Sequence, residues 1–282
     1  MGNHYIPRYY LKGFATVEDS GQIYLYRKGQ VVGIKTNIVN VGQENDLYPD
    51  AIESKIAQEV EQIANPILDK IRNFQLPTQD EKINFARYIM VMRIRVPKQK
   101  AWFQRGGPEI LKETINEIDK ELLELEELHP DKKEIINKRR QELRNFSPKK
   151  EQKLIEYAWL RNVPADPNWK SVQVLSMMTW QFVVCKEDQY FITGDNPVFI
   201  FDWMGIGKPT SELTFPISKT IALWATWRKD LVEKFIKVRT QFVKEINRRT
   251  ISTSKNFVYS PFPADWIGYL LNKENVRLNR IE

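Results

Sequence analysis

Cysteine and histidine are nearly absent from this chain, with one cysteine and two histidines in 282 residues. A lone thiol, Cys185, within the apolar run QFVVC, rules out an internal disulfide and fits a reducing cytoplasm. So few histidines and cysteines cannot build a zinc cluster. No apolar run approaches the roughly 20 residues of a membrane-crossing helix, so no membrane association is expected. There is no Walker loop and no Gly-x-Gly-x-x-Gly stretch, so no nucleotide cofactor is expected. There is also no Gly-x-Ser-x-Gly elbow to support a Ser-His-Asp site. The opening MGNHYIPRYYLKGF is too broken by His4, Pro7, Arg8 and Lys12 to read as a signal peptide. Ile6 stands where N-myristoylation after Met1-Gly2 would want Ser or Thr.

What remains is a globular composition, 42% hydrophobic and 12% aromatic, long enough for one large domain or two ordinary ones. The formal charge is +7 with a pI near 9.2, which favours an anionic partner such as nucleic acid. Between Glu109 and Arg144, eleven acids face eight bases, a net of −3, so the rest of the chain carries +10. The basic excess therefore belongs to a body and not to that segment.

The body reads as α+β: one compact mixed domain, residues 1–107 and 147–282, with short strands packed on helices. Residues 21–41 predict short strands about a turn at Lys28-Gly29. A helix is predicted from Ala51 to Phe74 across Pro66. A second begins at the capping box Thr78-Gln79-Asp80-Glu81 and stops before Pro97. Arg105-Gly106-Gly107-Pro108 reads as a break. Beyond it Leu111, Ile115, Ile118, Leu122 and Leu125 form a heptad seam, and Ile135 to Phe146 a return helix. Residues 108–146 are thus an inserted antiparallel helical hairpin, available for a homodimer contact. The stretch Pro148 to Leu160 is a further helix, ELTFPISKTIALWAT a strand pair, and Asp230 to Ile251 a helix.

Several residues stand against their local pattern. At 100° per residue Glu53 falls inside the apolar arc of Ile52, Ile56, Val60, Ile63, Ala64, Ile67, Leu68 and Ile71, and Glu61 at its edge. A carboxylate there needs a partner or an altered pKa, unless Glu53 only caps the first turn. The next helix, ARYIMVMRIRV, is apolar around most of its circumference yet carries Arg87, Arg93 and Arg95. These suit a salt bridge to Glu53 or Glu61, or a phosphate. In YFITGDNPV, Gly194-Asp195-Asn196-Pro197 reads either as a hairpin turn or as a carboxylate on a rigid strand end. His4 is held by the apolar opening segment, whereas His129 falls in the hairpin loop.

Taken in order, HYIPRYYLKGF, NDLYP, the Glu53 and Glu61 helix, RIRVP, YFITGDNPV, FPIS and INRRTISTSKNFVYS resemble the uncharacterised domain of unknown function 4238 family. The resemblance places His4, Pro7, Glu53, Glu61, Arg95, Asp195, Asn196, Pro197 and Asn247 at motif positions. It departs from them at Gly194, where a serine is expected. It implies that these residues share a site but brings no activity with it.

The expectation drawn is a metal-dependent phosphodiesterase or nuclease, a hydrolase acting on nucleic acid. Glu53, Glu61 and Asp195 would hold Mg or Mn, His4 would act as general base or orient the water, Arg95 would stabilise phosphate charge, and Asn196 would assist from behind. The alternative is a non-catalytic nucleic-acid or protein-binding module in which the same residues form a buried structural network.

Overall fold

The computed structural model describes residues 2–17, 20–145, 147–201 and 205–281. Met1 of the opening Met-Gly pair and Phe146, the expected end of the return helix, lie outside them. The chain forms two compact units, residues 98–163 and the remainder. With 51% helix and 16% strand in several small sheets, it is an α+β protein, as its pattern of elements implied.

In the larger unit the opening residues are tied down. Gly2–His4 is a strand, β1, and Arg8–Lys12 a short helix, α1, after which Phe14 joins Tyr10 and Leu11 in the core. Next come β2 (Gln22–Arg27), β3 (Ile34–Asn37) and β4 (Gln43–Asn45), the last antiparallel to β1 with His4 opposite Gln43. Gly29, at φ +91°, makes the turn expected between β2 and β3. One long helical stretch then runs through α2 (Asp50–Ile56), a π-helical turn (Ala57–Glu61) and α3 (Gln62–Arg72), carrying Pro66 within it. The capping box opens α4 (Gln79–Ile94), with Thr78 accepting from the Glu81 amide and Glu81 accepting from the Thr78 amide. Phe85, Tyr88, Ile89 and Met92 of α4 are fully buried, and Phe85 packs edge-on to Trp180 and Phe215. Each such side chain contributes about 1.5–3 kcal/mol of burial.

The smaller unit is helical. Helix α5 (Pro97–Leu128) runs straight through Arg105-Gly106-Gly107-Pro108, where a break was expected. The reason is packing: a Cβ on Gly107 would stand 2.7 Å from the Ile155 side chain of α7, so glycine here permits a close helix approach. Helix α6 (Lys133–Arg144) returns against α5, and α7 (Pro148–Asn162) completes the unit, with Ser147 as its N-cap. The seam drifts from the expected heptad. Leu111, Ile115 and Leu122 are half-buried, but Ile118 and Leu125 are 37% and 43% exposed. Their C-terminal neighbours Asp119 and Glu126 face the partner helix and pair with Arg140, Arg144 and Lys133. A straight helix of 3.6 residues per turn outruns a 3.5 repeat by about 20° per heptad, which brings the later residue round. The arginines hold the Asp119 carboxyl down to about 2.

Back in the larger unit, α8 (Lys170–Met177) leads into β5 (Thr179–Val184), followed by β6 (Thr193–Gly194), β7 (Phe199–Ile200), β8 (Glu212–Pro216) and β9 (Ile221–Thr226). The helix expected over 230–251 is instead a strand, β10 (Lys234–Lys237), followed by α9 (Thr240–Thr253). The chain closes with β11 (Phe257–Ser260) and α10 (Asp265–Leu271). One sheet has the order β10-β5-β9-β8-β7, antiparallel except at β10-β5, and the other the order β3-β2-β11-β6. Gly194-Asp195-Asn196-Pro197 therefore joins two sheets and is not a hairpin turn. Among the described residues, no helix is long and apolar enough to cross a membrane.

Candidate functional site

The π-helical turn shapes the site. The Gln62 amide bonds the Ala57 carbonyl, an i→i+5 step that adds one residue to the turn and shifts the phase of all that follows. Val60 stays buried, Ile63 turns out to 44% exposure, and the arc drawn at 100° per residue breaks there. Glu61, the last residue of the π turn, faces Arg95 at the end of α4, with Oε1 accepting from Nη1 at 2.6 Å. Arg95 is wholly buried and also points Nη2 at the Met92 sulfur. Burial opposes its charge, but Glu61 together with Tyr48 and Tyr88 outweighs it, and its pKa stands above the usual arginine value. The expected salt bridge is thus made by Glu61.

Glu53, two turns earlier, is half-buried, and its Oε2 is sealed from solvent. Burial raises its pKa; Tyr48, Arg95 and Asn3 lower it in part, and Glu61 raises it further. Asn3 reaches this group from β1 and also accepts from the amides of Leu47 and Tyr48. His4 follows on the same strand. Its Nε2 accepts from Arg8 Nε at 3.1 Å, and its ring bonds the Val39 carbonyl. Burial and then Arg8 lower its pKa, with smaller influences from Arg95 and Glu61. Of the expected site residues, His4 and Glu53 thus each lie within electrostatic reach of the Glu61–Arg95 pair. Asn3, Arg8 and Tyr48 complete the cluster. Spacing gave no warning of these three, although Tyr48 stands in the NDLYP segment.

Asp195 and Asn196 are occupied differently. The Asp195 carboxylate accepts from three successive backbone amides, Lys255 at 2.7 Å, Asn256 at 2.7 Å and Phe257 at 3.0 Å. Asn196 exchanges bonds with Thr253, donating from Nδ2 to its carbonyl and accepting at its own carbonyl from its hydroxyl. Both residues fasten the end of α9 and the start of β11 to the link between the sheets. Asn247 likewise holds the Ile192 amide and the Tyr190 carbonyl. Among the described residues, no three His, Cys, Asp or Glu side chains are gathered as metal ligands, and Asp195 does not join Glu53 and Glu61 in such a group. Gly194 has a steric reason. A Cβ there would lie 2.1 Å from the Ser254 hydroxyl, so Ser254 fills the space of the serine expected at 194.

A second buried ionic cluster was invisible in the sequence. Arg249, wholly buried over the rings of Phe199 and Phe201, pairs with Glu212 at 2.7 Å and Glu245 at 3.6 Å. These carboxylates also accept from the Asn279 and Ile281 amides, which fastens the C-terminal residues.

Fold and site together define an α+β protein whose N-terminal strand carries a histidine into a buried carboxylate–arginine cluster. Over residues 3–261 the chain matches the model of a family described as protein of unknown function (DUF4238), and it belongs to that family. No curated protein and no solved structure matches it.

Proposed function

We propose that the cluster of His4, Glu53, Glu61 and Arg95 is the acid–base site of a hydrolase acting on phosphodiesters of nucleic acid. One observation carries this reading: a carboxyl pushed up and an imidazole pushed down lie in the same cluster. Environments that move an acid and a base in this way leave an imidazole able to take a proton and a carboxyl able to give one, both within reach of the Arg95–Glu61 pair. The Val39 carbonyl fixes the ring so that Nε2 is the basic nitrogen, exposed Arg8 stands beside it, and buried Arg95 holds Glu61 in place. The basic body would gather an anionic substrate. With Asp195 bound to three amides, a Mg or Mn ion in this proposal would rest on Glu53 and Glu61 alone.

The test is cleavage of end-labelled single-stranded RNA and DNA by the full chain, with Mg²⁺ or Mn²⁺ and again with EDTA. Positioned acid–base groups contribute about 10²–10⁴-fold. His4→Ala and Glu53→Gln are therefore expected to lose at least a hundredfold in rate while melting within a few degrees of the parent. An inert parent protein, or variants that cleave as well as it does, would end this reading.

Asp195 favours the second reading, a non-catalytic nucleic-acid or protein-binding module, because its carboxylate serves the backbone. Salt-sensitive binding of the same oligonucleotides without cleavage would support it. A homodimer through the hairpin belongs to this reading too. Leu123, Leu125, Leu128 and Ile135 are exposed there, and sedimentation of the full chain reads the oligomeric state.

A further inference from the structure

A separate cavity of about 540 Å³ opens where the turn after β5 meets α9 and α10. That volume lies within the roughly 300–1,000 Å³ of small-molecule sites. Its chemistry is of two kinds. Tyr190 and Trp266 present aromatic surface, with Tyr190 steadied from behind by Phe262, edge-on at 5.3 Å, and by the bond from Asn247 to its carbonyl. Lys244 and Arg248 stand one turn apart on α9, against a single acidic lining residue, Asp188. Like charges at that spacing disfavour a helix, and here Arg248 is offset by Glu245 at 3.5 Å. Gln189 donates from Nε2 to Thr240 at 2.5 Å, and its Oε1 is closed to solvent, so this side chain belongs to the wall and not to the open space of the cavity.

Aromatic surface beside paired cations describes one class of ligand. We infer that this cavity binds a nucleotide. The base lies against Trp266 and Tyr190, and the phosphate lies between Lys244 and Arg248. Stacking on aromatic side chains with cations along the phosphate is the general means of holding a nucleotide without a glycine-rich loop. The ligand is either a free nucleotide or the phosphorylated end of a single strand. None of these residues belongs to the acid–base cluster, so the inference stands or falls apart from the proposed hydrolysis.

Calorimetric titration of the full chain with AMP, IMP, adenosine, inorganic phosphate and a 5′-phosphorylated penta-deoxyadenylate tests it. AMP and IMP should each bind at least tenfold more tightly than adenosine or inorganic phosphate. Trp266→Ala and the Lys244→Ala/Arg248→Ala double variant should each weaken AMP at least tenfold while keeping the parent's melting temperature. Tenfold tighter binding of the pentanucleotide would assign the strand end, and equal or weaker binding the free nucleotide. The inference is overturned if neither AMP nor the pentanucleotide gives heat up to millimolar concentration. It is also overturned if the folded Trp266→Ala protein binds both as the parent does.

Discussion

Glu53 is a carboxyl group whose burial acts against its own charge, and that has a consequence for stability. Its folded pKa lies above the unfolded glutamate value of about 4.3, so between the two the folded state holds the proton that the unfolded chain has released. Stability attached to this group is therefore full below about pH 4.3 and declines as pH rises through the folded pKa. Glu53→Gln removes the ionisation and keeps the shape. Its melting temperature relative to the parent is expected to rise as pH increases above about 4.3 and to level off once Glu53 has ionised in the folded protein, as followed by thermal melts across pH. A difference that stays flat with pH would show that Glu53 titrates as a solvated carboxylate. His4 has the opposite shift. Its lowered pKa keeps the imidazole neutral at pH 7, the form a base requires.

At the scale of the element, two adjacent glycines in α5 show how one residue type serves two ends. Gly106 has open space where a Cβ would point, while a Cβ on Gly107 would press on Ile155. Gly106→Ala should therefore stabilise by about 0.5–1 kcal/mol, the helix-interior difference between glycine and alanine. Gly107→Ala should destabilise, by up to about 1–3 kcal/mol for overpacking if Ile155 cannot yield. Guanidinium denaturation of the two variants compares them directly, and equal shifts of the same sign would refute the packing role of Gly107. The π turn of Ala57–Glu61 is the other element that carries function in this account. It directs Glu61 at Arg95 while leaving Ile63 to solvent, and π turns are frequent where a helix bears functional side chains.

On the scale of the molecule, Asp195 sits where β6 of one sheet passes toward β7 of the other, and its carboxylate gathers the amides that turn α9 into β11. Removing it strands three donors in a part-buried setting. At about 1–3 kcal/mol for an unsatisfied group, Asp195→Ala should cost about 3 kcal/mol or more, visible as a lowered denaturation midpoint. An unchanged midpoint with lost activity would return Asp195 to the functional set. Arg249 does similar work between β8, α9 and the C-terminal residues, through Glu212 and Glu245.

Local chemistry was legible because its causes are local. The capping box at Thr78, the turn at Gly29, the α+β class, the paired strands β8 and β9 and the family resemblance each rest on neighbouring residues or on short quoted segments. Glu53 and Glu61 were marked as anomalies by helical phase alone, and Arg95 as an arginine in an apolar helix. Sequence by itself thus determined which residues needed an explanation. Only the tertiary structure decided which explanation each received, because partners far apart in the chain meet through the fold. It paired Arg95 with Glu61, and on a strand held by β4 it brought Asn3 to Glu53 and His4 within reach of Arg95 and Glu61. It also bound Asp195 to amides sixty residues away. The π turn and the link between the sheets escaped a reading by period, since a single extra residue in a turn, or a change of sheet, leaves hydrophobic spacing almost unaltered while redirecting every side chain beyond it.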